Sequence, residues 1–148
     1  MGCEILNTLC EQDDLNPLAA IDAMAKSELL ALPTGESIPL SAKIDDIPEK
    51  TDVLVDVTNA IGAQKAISNL APKGINIVIG SSGIPESTYM EAKYLSKKHN
   101  VGIVIVPNFA LGGVLMSHVA RIISKYYDYA DLTETHHEKK IDGYEIRN

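Results

Sequence analysis

The sequence predicts an α/β protein built on a parallel sheet, and three observations carry this prediction. Short apolar segments rich in β-branched residues alternate with segments whose apolar residues recur at helical spacing, the pattern of strand–helix–strand crossovers. The strand segments are apolar throughout, as expected of strands that helices cover on both faces. With 148 residues, 45 % of them hydrophobic, the chain is long enough to bury one core.

The predicted elements follow one another along the chain. Apolar residues at helical spacing predict helices over residues 2–12, 60–70, 85–98 and 110–126. Apolar runs predict strands over residues 17–22, 52–58, 75–80, 101–106 and 129–137. Residues 23–52 are expected to be less regular, because these breakers interrupt them: Pro33, Gly35, Pro39 and Pro48.

The composition argues against several classes of partner. A net charge of −7 and a pI of about 5.0 disfavour general nucleic-acid binding. No apolar run reaches the roughly 18 residues of a membrane-spanning helix, and the first residues lack the basic region of a secretory signal. Cys3 and Cys10 lie two helical turns apart, about 10 Å, which is too far for a disulfide. A reducing, cytoplasmic compartment and no metal site are therefore expected.

Three strand ends are expected to meet at one edge of the sheet, where parallel α/β sheets bind ligands. They are Asp56–Thr58, Gly80–Gly83 and Pro107–Phe109. The glycines of "GSSG" let the backbone approach a ligand closely, although on spacing alone a tight turn into the next helix is the preferred interpretation. Asn108 could bond a ring amide and Phe109 could stack on a flat cofactor; an asparagine turn that caps the next helix explains "PNF" equally well.

Asp22 closes the first predicted strand, where nucleotide-binding βαβ units carry an acid for the ribose hydroxyls of adenosine. Many strands end in an acid, so Asp22 needs the support of a glycine-rich turn before the first helix. Only Met1 and Gly2 precede the rest of that helix.

The segment "ETHHEKKID", Glu134–Asp142, concentrates histidine and lysine in an acidic chain. Histidine titrates near neutrality and lysine is cationic, so together they can attract carboxylates and deliver a proton. A solvated polar strand end is the alternative that composition leaves open.

The motifs "VDVT", "GSSG", "VPNFALG" and "ETHHEKKID" occur in the order and at the intervals found in dihydrodipicolinate reductases, also called 4-hydroxy-tetrahydrodipicolinate reductases. The sequence resembles this family over almost its whole length, and the double-histidine segment is the most specific element. The resemblance implies an oxidoreductase of the diaminopimelate route to lysine, which passes a hydride from NADH or NADPH to a cyclic dicarboxylate. It also implies a homotetramer.

The resemblance assigns roles to individual residues by motif position. Lys140 matches the proton donor and His136 the polarising group of catalysis, while His137 matches a substrate-binding position. Lys139 falls at a variable position and is expected to be solvated. The positions implied to bind the cofactor are Gly2, Asp22, Thr58, Gly80, Ser82, Gly83, Pro107, Asn108 and Phe109.

The adenosine end of the implied cofactor site carries little positive charge. Ala23 rather than a basic residue follows Asp22, which weakens a preference for the 2′-phosphate of NADPH. Lys26 could supply part of the missing charge.

The sequence departs from the family pattern at both ends. The first strand and the first glycines of the family's glycine-rich turn are missing, and "DGYEIRN" stands where the family has D-A-P-S-G-T. We therefore expect a chain truncated at both ends, in which the opening "MG" is an internal methionine and glycine of the family pattern. Residues 1–107 are expected to form a partial dinucleotide-binding domain with an incomplete Rossmann-like sheet, and residues 108–148 the start of an α+β substrate-binding and tetramerisation domain.

The missing strand has consequences for structure and activity. We expect either a gap beside the strand at residues 53–57 or a direct pairing of residues 17–22 with it. We also expect weak dinucleotide binding and no turnover by this chain alone. A different class of function, a catalytically silent nucleotide-binding or assembly remnant, stays open.

Overall fold

The computed structural model describes residues 1–106, 108–131 and 133. The chain divides into two compact units, Met1–Phe109 and Ala110–Asn148. The helices of the first unit are α1 (Gly2–Cys10), α2 (Ala60–Leu70) and α3 (Glu86–His99). Its strands are β1 (Ala20–Ile21), β2 (Leu29–Ala31), β3 (Ser37–Ser41), β4 (Val53–Asp56), β5 (Asn76–Ile79) and β6 (Ile103–Ile105). The second unit contains α4 (Leu111–Ile123), which one 3₁₀ turn extends to Tyr126.

Strands and helices alternate from β4 to β6, and these three strands form a parallel sheet in the order β4–β5–β6. Leu54 pairs with Ile77 and Ile77 with Ile103, so the three side chains point to the same face of the sheet. Helix α2 connects β4 to β5, and α3 connects β5 to β6. The predicted α/β class and its parallel sheet are confirmed.

The core lies between this sheet and the helices α2 and α3. Ile77 and Ile79 of β5 are fully buried, and they belong to one cluster with Ile67 of α2 and Leu95 of α3. Removing a side chain of this size from water contributes about 1.5–3 kcal/mol, so the cluster is the main apolar contribution to this part of the fold.

The opposite face of the sheet is less covered. Val53 and Val104 are 49 % and 53 % exposed, while Val55 and Val78 between them are half-buried. The expectation that helices bury both faces is therefore wrong for the outer positions of this face in the described chain. Apolar residues on a strand face indicate that a helix could cover that face. In the structure, both α2 and α3 pack on the face that carries the buried side chains of Ile77 and Ile79.

A second, smaller sheet forms within residues 20–41, in the order β1–β3–β2. β1 runs parallel to β3, and β2 pairs antiparallel with β3 through a turn at Gly35, whose φ is +89°. The hairpin was not expected from the breakers in this segment. The predicted strand at residues 17–22 is real, but only Ala20–Ile21 is regular.

The strand order agrees with the expected gap beside β4. Within the described residues β4 has a strand neighbour on one side only, which is β5. β1 pairs with β3 instead, through Ala20 opposite Leu40 and Ile21 opposite Ser41. The alternative expectation, direct pairing of β1 with β4, is therefore not what forms.

The remaining predictions about local structure have mixed outcomes. The helices predicted at residues 60–70, 85–98 and 110–126 are present with ends that differ by at most a few residues. In the predicted terminal strand, the described residues 129–131 and 133 form no strand, and the rest of that segment lies outside the described residues. Cys3 and Cys10 are free thiols. Among the described residues, no helix has the length and apolar character needed to cross a membrane.

Candidate functional site at the carboxyl edge of the parallel sheet

The ends of β4, β5 and β6 meet at one edge, as the sequence predicts. The N–H of Gly80 donates to the carbonyl of Asp56 at 2.8 Å, and the N–H of Val106 donates to the carbonyl of Ile79 at 2.7 Å. The sheet hydrogen bonds thus continue past the last regular residue of β5 and β6. The turn segments that follow these strands therefore start side by side.

Asp56 is the last residue of β4 at this edge and is only 6 % exposed. One of its carboxylate oxygens accepts hydrogen bonds from the hydroxyl of Thr58 at 2.6 Å and from the Thr58 N–H at 3.3 Å. The other accepts from the hydroxyl of Ser81 at 2.9 Å. Burying a carboxylate is costly unless it is hydrogen-bonded, and these three donors satisfy it. Asp56 therefore joins the turn after β4 to the turn after β5.

The turn "GSSG" after β5 requires glycine at its two ends for different structural reasons. A Cβ on Gly80 would overlap the ring of Phe109, whose Cζ and Cδ2 atoms would lie 2.6 and 2.8 Å away. Gly83 has a φ of +68°, and apart from its chain neighbours no atom of the described residues lies within 4 Å of the position that a Cβ would take. Gly80 thus lets Phe109 pack on the backbone, while Gly83 supplies a left-handed turn under open space.

Phe109 brings the segment after β6 to the same edge. Its ring covers Gly80 and remains 41 % exposed, so one part is held and the other faces outward. Asn108 is an exposed neighbour, and Pro107 lies outside the described residues. A partly exposed aromatic ring that packs on the backbone is suited to contact with a flat ligand.

Thr58 also depends on a glycine in the following helix. A Cβ on Gly62 would overlap the Thr58 hydroxyl oxygen, so α2 accommodates this hydroxyl only because residue 62 has no side chain. Helix α2 begins at Ala60, two residues after Thr58, and the side chain of Asn59 caps it by accepting from the N–H groups of Ile61 and Gly62, both at 3.0 Å. The cap and the glycine together fix where Thr58 stands.

Gly2 approaches the same edge from the amino end of the chain. A Cβ on Gly2 would lie 3.9 Å from a methyl group of Val57, the residue between Asp56 and Thr58. The amino end of α1, with its unpaired backbone N–H groups, therefore starts beside the end of β4. Such a helix start is where the pyrophosphate of a dinucleotide commonly sits.

Asp22 lies at the end of β1, in the smaller sheet. Its N–H donates to the carbonyl of Ser41 at 2.9 Å, and one carboxylate oxygen accepts from the N–H of Met24 at 2.8 Å. The side chain is exposed, as is Lys26. Asp22 therefore organises its own turn through one carboxylate oxygen.

Other predicted site residues fall outside the part of the chain that the structure describes. They are His136, His137 and Lys140. Ser82 is exposed and follows Ser81 in the glycine turn. Within the described residues no group of three His, Cys, Asp or Glu side chains is arranged to hold a metal ion. A shallow cleft elsewhere, lined by residues such as Cys10 and Pro33, contains none of the predicted site residues.

Asp56 and Ser81 are the residues that sequence reasoning did not assign. Asp56 is the one acid within the apolar run "VLVDV", and an acid there must be buried with partners. Thr58, two residues later, is a suitable local hydrogen-bond partner, so the pattern D-x-T could have indicated that Asp56 is a buried, hydrogen-bonded acid. Nothing in the sequence indicated that Ser81 rather than Ser82 faces Asp56.

These observations define the class of protein. The first unit is an α/β unit whose chemistry-bearing side chains gather at the carboxyl ends of parallel strands, as in proteins that bind nucleotides and related cofactors. Residues 1–109 match the family described as dihydrodipicolinate reductase, N-terminus. The chain belongs to the dihydrodipicolinate reductase family.

Individual relatives agree with this assignment. The chain is 40 % identical over 146 residues to a 4-hydroxy-tetrahydrodipicolinate reductase of Dehalococcoides mccartyi, covering 97 % of this chain and 56 % of that protein. It is 35 % identical to the enzyme of the same name from Dictyoglomus turgidum, covering 97 % and 54 %. The chain spans about half the length of the curated relatives it matches.

A solved structure shares the fold. It is a dipicolinate-bound dihydrodipicolinate reductase from Paenisporosarcina sp. TG-14, with a TM-score of 0.70 and 23 % sequence identity. The similarity covers 85 % of this chain and 50 % of that one. At this identity the comparison bears on the fold alone.

Proposed function

We propose that this chain provides the cofactor-binding half of a 4-hydroxy-tetrahydrodipicolinate reductase, an oxidoreductase of the diaminopimelate route to lysine. The observation that carries the proposal is the cluster at the carboxyl edge, where Asp56 joins Thr58 to Ser81 beside Gly80 and Phe109. The proposed cofactor is NADH or NADPH, and the proposed substrate is a cyclic, unsaturated dicarboxylate. The setting is the cytoplasm, and the proposed assembly is a homotetramer.

The residues at this edge fit a nicotinamide. Gly83 leaves open space where any other residue would place a side chain, so a flat ring can approach the backbone. The half-exposed ring of Phe109 offers a stacking surface, and Thr58 and Ser82 are exposed hydroxyl residues in the segments that follow β4 and β5 at the same edge. The same end of the site is proposed to include Gly80, Pro107 and Asn108.

The rest of the dinucleotide is proposed to extend toward α1 and β1. Gly2 at the start of α1 is proposed to meet the pyrophosphate through backbone N–H groups, supported by its position beside Val57. Asp22 is proposed to accept hydrogen bonds from the ribose hydroxyls with the oxygen that Met24 leaves unused. Since Ala23 follows Asp22, binding of both NADH and NADPH is expected.

When bound, the reduced nicotinamide supplies a hydride. Hydride addition to a carbon–carbon double bond of the substrate leaves electron density on the ring, which a nearby acid must protonate. We assign this proton donor to Lys140 and the polarising role to His136, and we assign His137 to binding of a substrate carboxylate. These three assignments follow the motif "ETHHEKK".

Calorimetric titration of the purified chain with NADH and with NADPH tests the proposed cofactor site. We expect weak but measurable binding of both, and we expect Phe109→Ala to weaken it because the stacking surface is lost. Lys139→Ala is the matched control, since this lysine has no proposed contact. If neither NADH nor NADPH binds, the proposal is contradicted. A dissociation constant in the low micromolar range or tighter would contradict the expectation that binding is weak.

A turnover assay separates an active reductase from the silent remnant. Oxidation of NADPH is followed in the presence of freshly generated substrate, and any turnover should be abolished in Lys140→Ala and retained in Lys139→Ala. Equal effects of the two substitutions would contradict the assignment of Lys140. Cofactor binding without turnover by the unaltered chain would favour the catalytically silent nucleotide-binding protein.

A further inference from the structure

Asp56 has a role that goes beyond joining two turns, because its hydrogen bonds fix the direction in which two hydroxyl groups point. An ionised carboxylate accepts hydrogen bonds and cannot donate them. The hydroxyls of Thr58 and Ser81, at 2.6 and 2.9 Å from its oxygens, must therefore both donate to Asp56. Each hydroxyl has one proton, so each is left with oxygen lone pairs only.

The two hydroxyls differ in their access to a ligand. Ser81 is 5 % exposed, so its bond to Asp56 anchors the turn after β5 from inside. Thr58 is exposed and stands at the edge itself. Of the two hydroxyls, that of Thr58 belongs to the exposed residue, and its bond to Asp56 holds it as a hydrogen-bond acceptor.

We infer that Asp56 is a positioning residue that makes Thr58 an acceptor for an N–H donor of the ligand. The inference rests on the proposed function, in which the donor is the carboxamide NH₂ of the nicotinamide. A hydroxyl free to rotate would accept an N–H or donate to a carbonyl with similar ease. A hydroxyl whose proton is committed to Asp56 discriminates in favour of the N–H, because an acceptor placed opposite its lone pairs finds no partner.

Gly62 gives this arrangement a second support. The Thr58 hydroxyl occupies the space that a Cβ at residue 62 would fill, so alanine there would push the hydroxyl away from Asp56. Alanine is favoured over glycine within a helix. Gly62→Ala therefore perturbs the Thr58 hydroxyl without changing Asp56 and without intrinsic loss of helix propensity.

The test compares NADH with reduced 3-acetylpyridine adenine dinucleotide, in which a methyl ketone replaces the carboxamide and removes its N–H donor. ADP-ribose, which lacks the nicotinamide, is the third probe. We expect the unaltered chain to bind NADH about tenfold more tightly than the acetylpyridine analogue. In Asp56→Ala and in Gly62→Ala this ratio should fall to about twofold or less, while the affinity for ADP-ribose is unchanged.

Two controls separate positioning from general stability. Asp56→Asn keeps an oxygen for Thr58 and turns its NH₂ toward the Ser81 oxygen, so it should retain the ratio. Asn76 bonds the Gly102 N–H at 2.8 Å and the Asp52 carbonyl at 3.0 Å, at the opposite end of the same sheet. Asn76→Ala should lower the thermal midpoint and leave the ratio unchanged. If Asp56→Ala does not fold, Gly62→Ala and Thr58→Val carry the test.

The outcomes are distinguishable. Binding of neither NADH nor ADP-ribose by the unaltered chain contradicts the proposed function, and the inference falls with it. NADH binding with an unchanged ratio in folded Asp56→Ala and Gly62→Ala overturns the inference alone. A ratio that falls equally in Asn76→Ala also overturns it, because the effect is then one of stability.

Discussion

Gly80→Ala is the substitution whose effect the structure predicts most directly. The φ of Gly80 is not in the left-handed region, so the backbone itself accepts alanine. The obstacle is the ring of Phe109, because the new Cβ would lie 2.6 Å from its Cζ atom, against 3.4 Å or more in an ordinary contact. The ring must therefore withdraw by about 0.8 Å or more at that atom.

The expected cost follows from the freedom of the ring to move. Overpacking in a closed core typically costs about 1–3 kcal/mol. Phe109 is 41 % exposed and can turn outward, so we expect the lower part of that range, about 1–2 kcal/mol. For a chain of this length the thermal midpoint should fall by about 2–4 °C for each kcal/mol.

A double-mutant cycle isolates this contact. Urea unfolding is measured for Gly80→Ala, Phe109→Ala and the double variant. With the ring removed, alanine at residue 80 should cost nothing further, so the two substitutions should couple by about 1–2 kcal/mol. Gly112→Ala is the matched control: among the described residues, no atom outside its own helix backbone and chain neighbours lies within 4 Å of a Cβ at that position, so no loss is expected. Additive effects at residues 80 and 109 would show that the ring does not rest on Gly80.

Two further predictions concern stability away from the ring. The hydroxyl of Thr88 in α3 is buried, with the residue 1 % exposed, and it lacks a hydrogen-bond partner in the described structure; Thr88→Val should therefore raise the free energy of unfolding by about 1 kcal/mol, and a loss of stability in urea would contradict this explanation. Asn59→Ala removes both hydrogen bonds that cap α2 and should lower the free energy of unfolding by about 1 kcal/mol. Asn59→Asp keeps the accepting oxygen and should lose less stability, so equal losses in the two variants would exclude capping as the cause.

The parts of the fold that the sequence predicts well are those with one dominant signal. Helix α2 occupies the residues over which the sequence predicts it, because its apolar residues recur regularly on one helical face. The strand ends around residues 56, 80 and 109 were expected together because parallel strands bring their carboxyl ends to one edge. Their arrangement follows from topology, which the alternation of elements already determines.

The hairpin β2–β3 could not be predicted from the same rules because Pro39 lies inside it. Proline lacks the N–H that a central strand normally donates. Here the N–H of Leu40 donates to Glu28 on the β2 side, so the nitrogen of Pro39 faces the β1 side. β1 begins only opposite Leu40, and the missing donor therefore has no strand to meet. Only the register of the neighbouring strand makes this proline acceptable.

The polar interior of the site was beyond sequence reasoning for a different reason. Ser81 and Ser82 are chemically equivalent in the sequence, yet Ser81 is buried against Asp56 while Ser82 is exposed. Which serine turns inward depends on the exact path of the turn after β5, which no residue pattern specifies. The cofactor-binding residues predicted from the sequence therefore include Ser82 but not its buried neighbour Ser81.

The side chains of Asn76 and Asp56 make hydrogen bonds at opposite ends of the same sheet. The apolar residues between them keep the strands in the register that both sets of hydrogen bonds require. At the amino edge, Asn76 of β5 bonds the residues just before β4 and β6. At the carboxyl edge, Asp56 bonds the segments that follow β4 and β5. A slip of β4 against β5 by one residue would carry Asp56 to the opposite face of the sheet and away from Ser81. The pairing of Leu54 with Ile77 resists that slip because it would expose buried apolar side chains. The hydroxyl geometry at the candidate site therefore depends on the isoleucine core as directly as stability does.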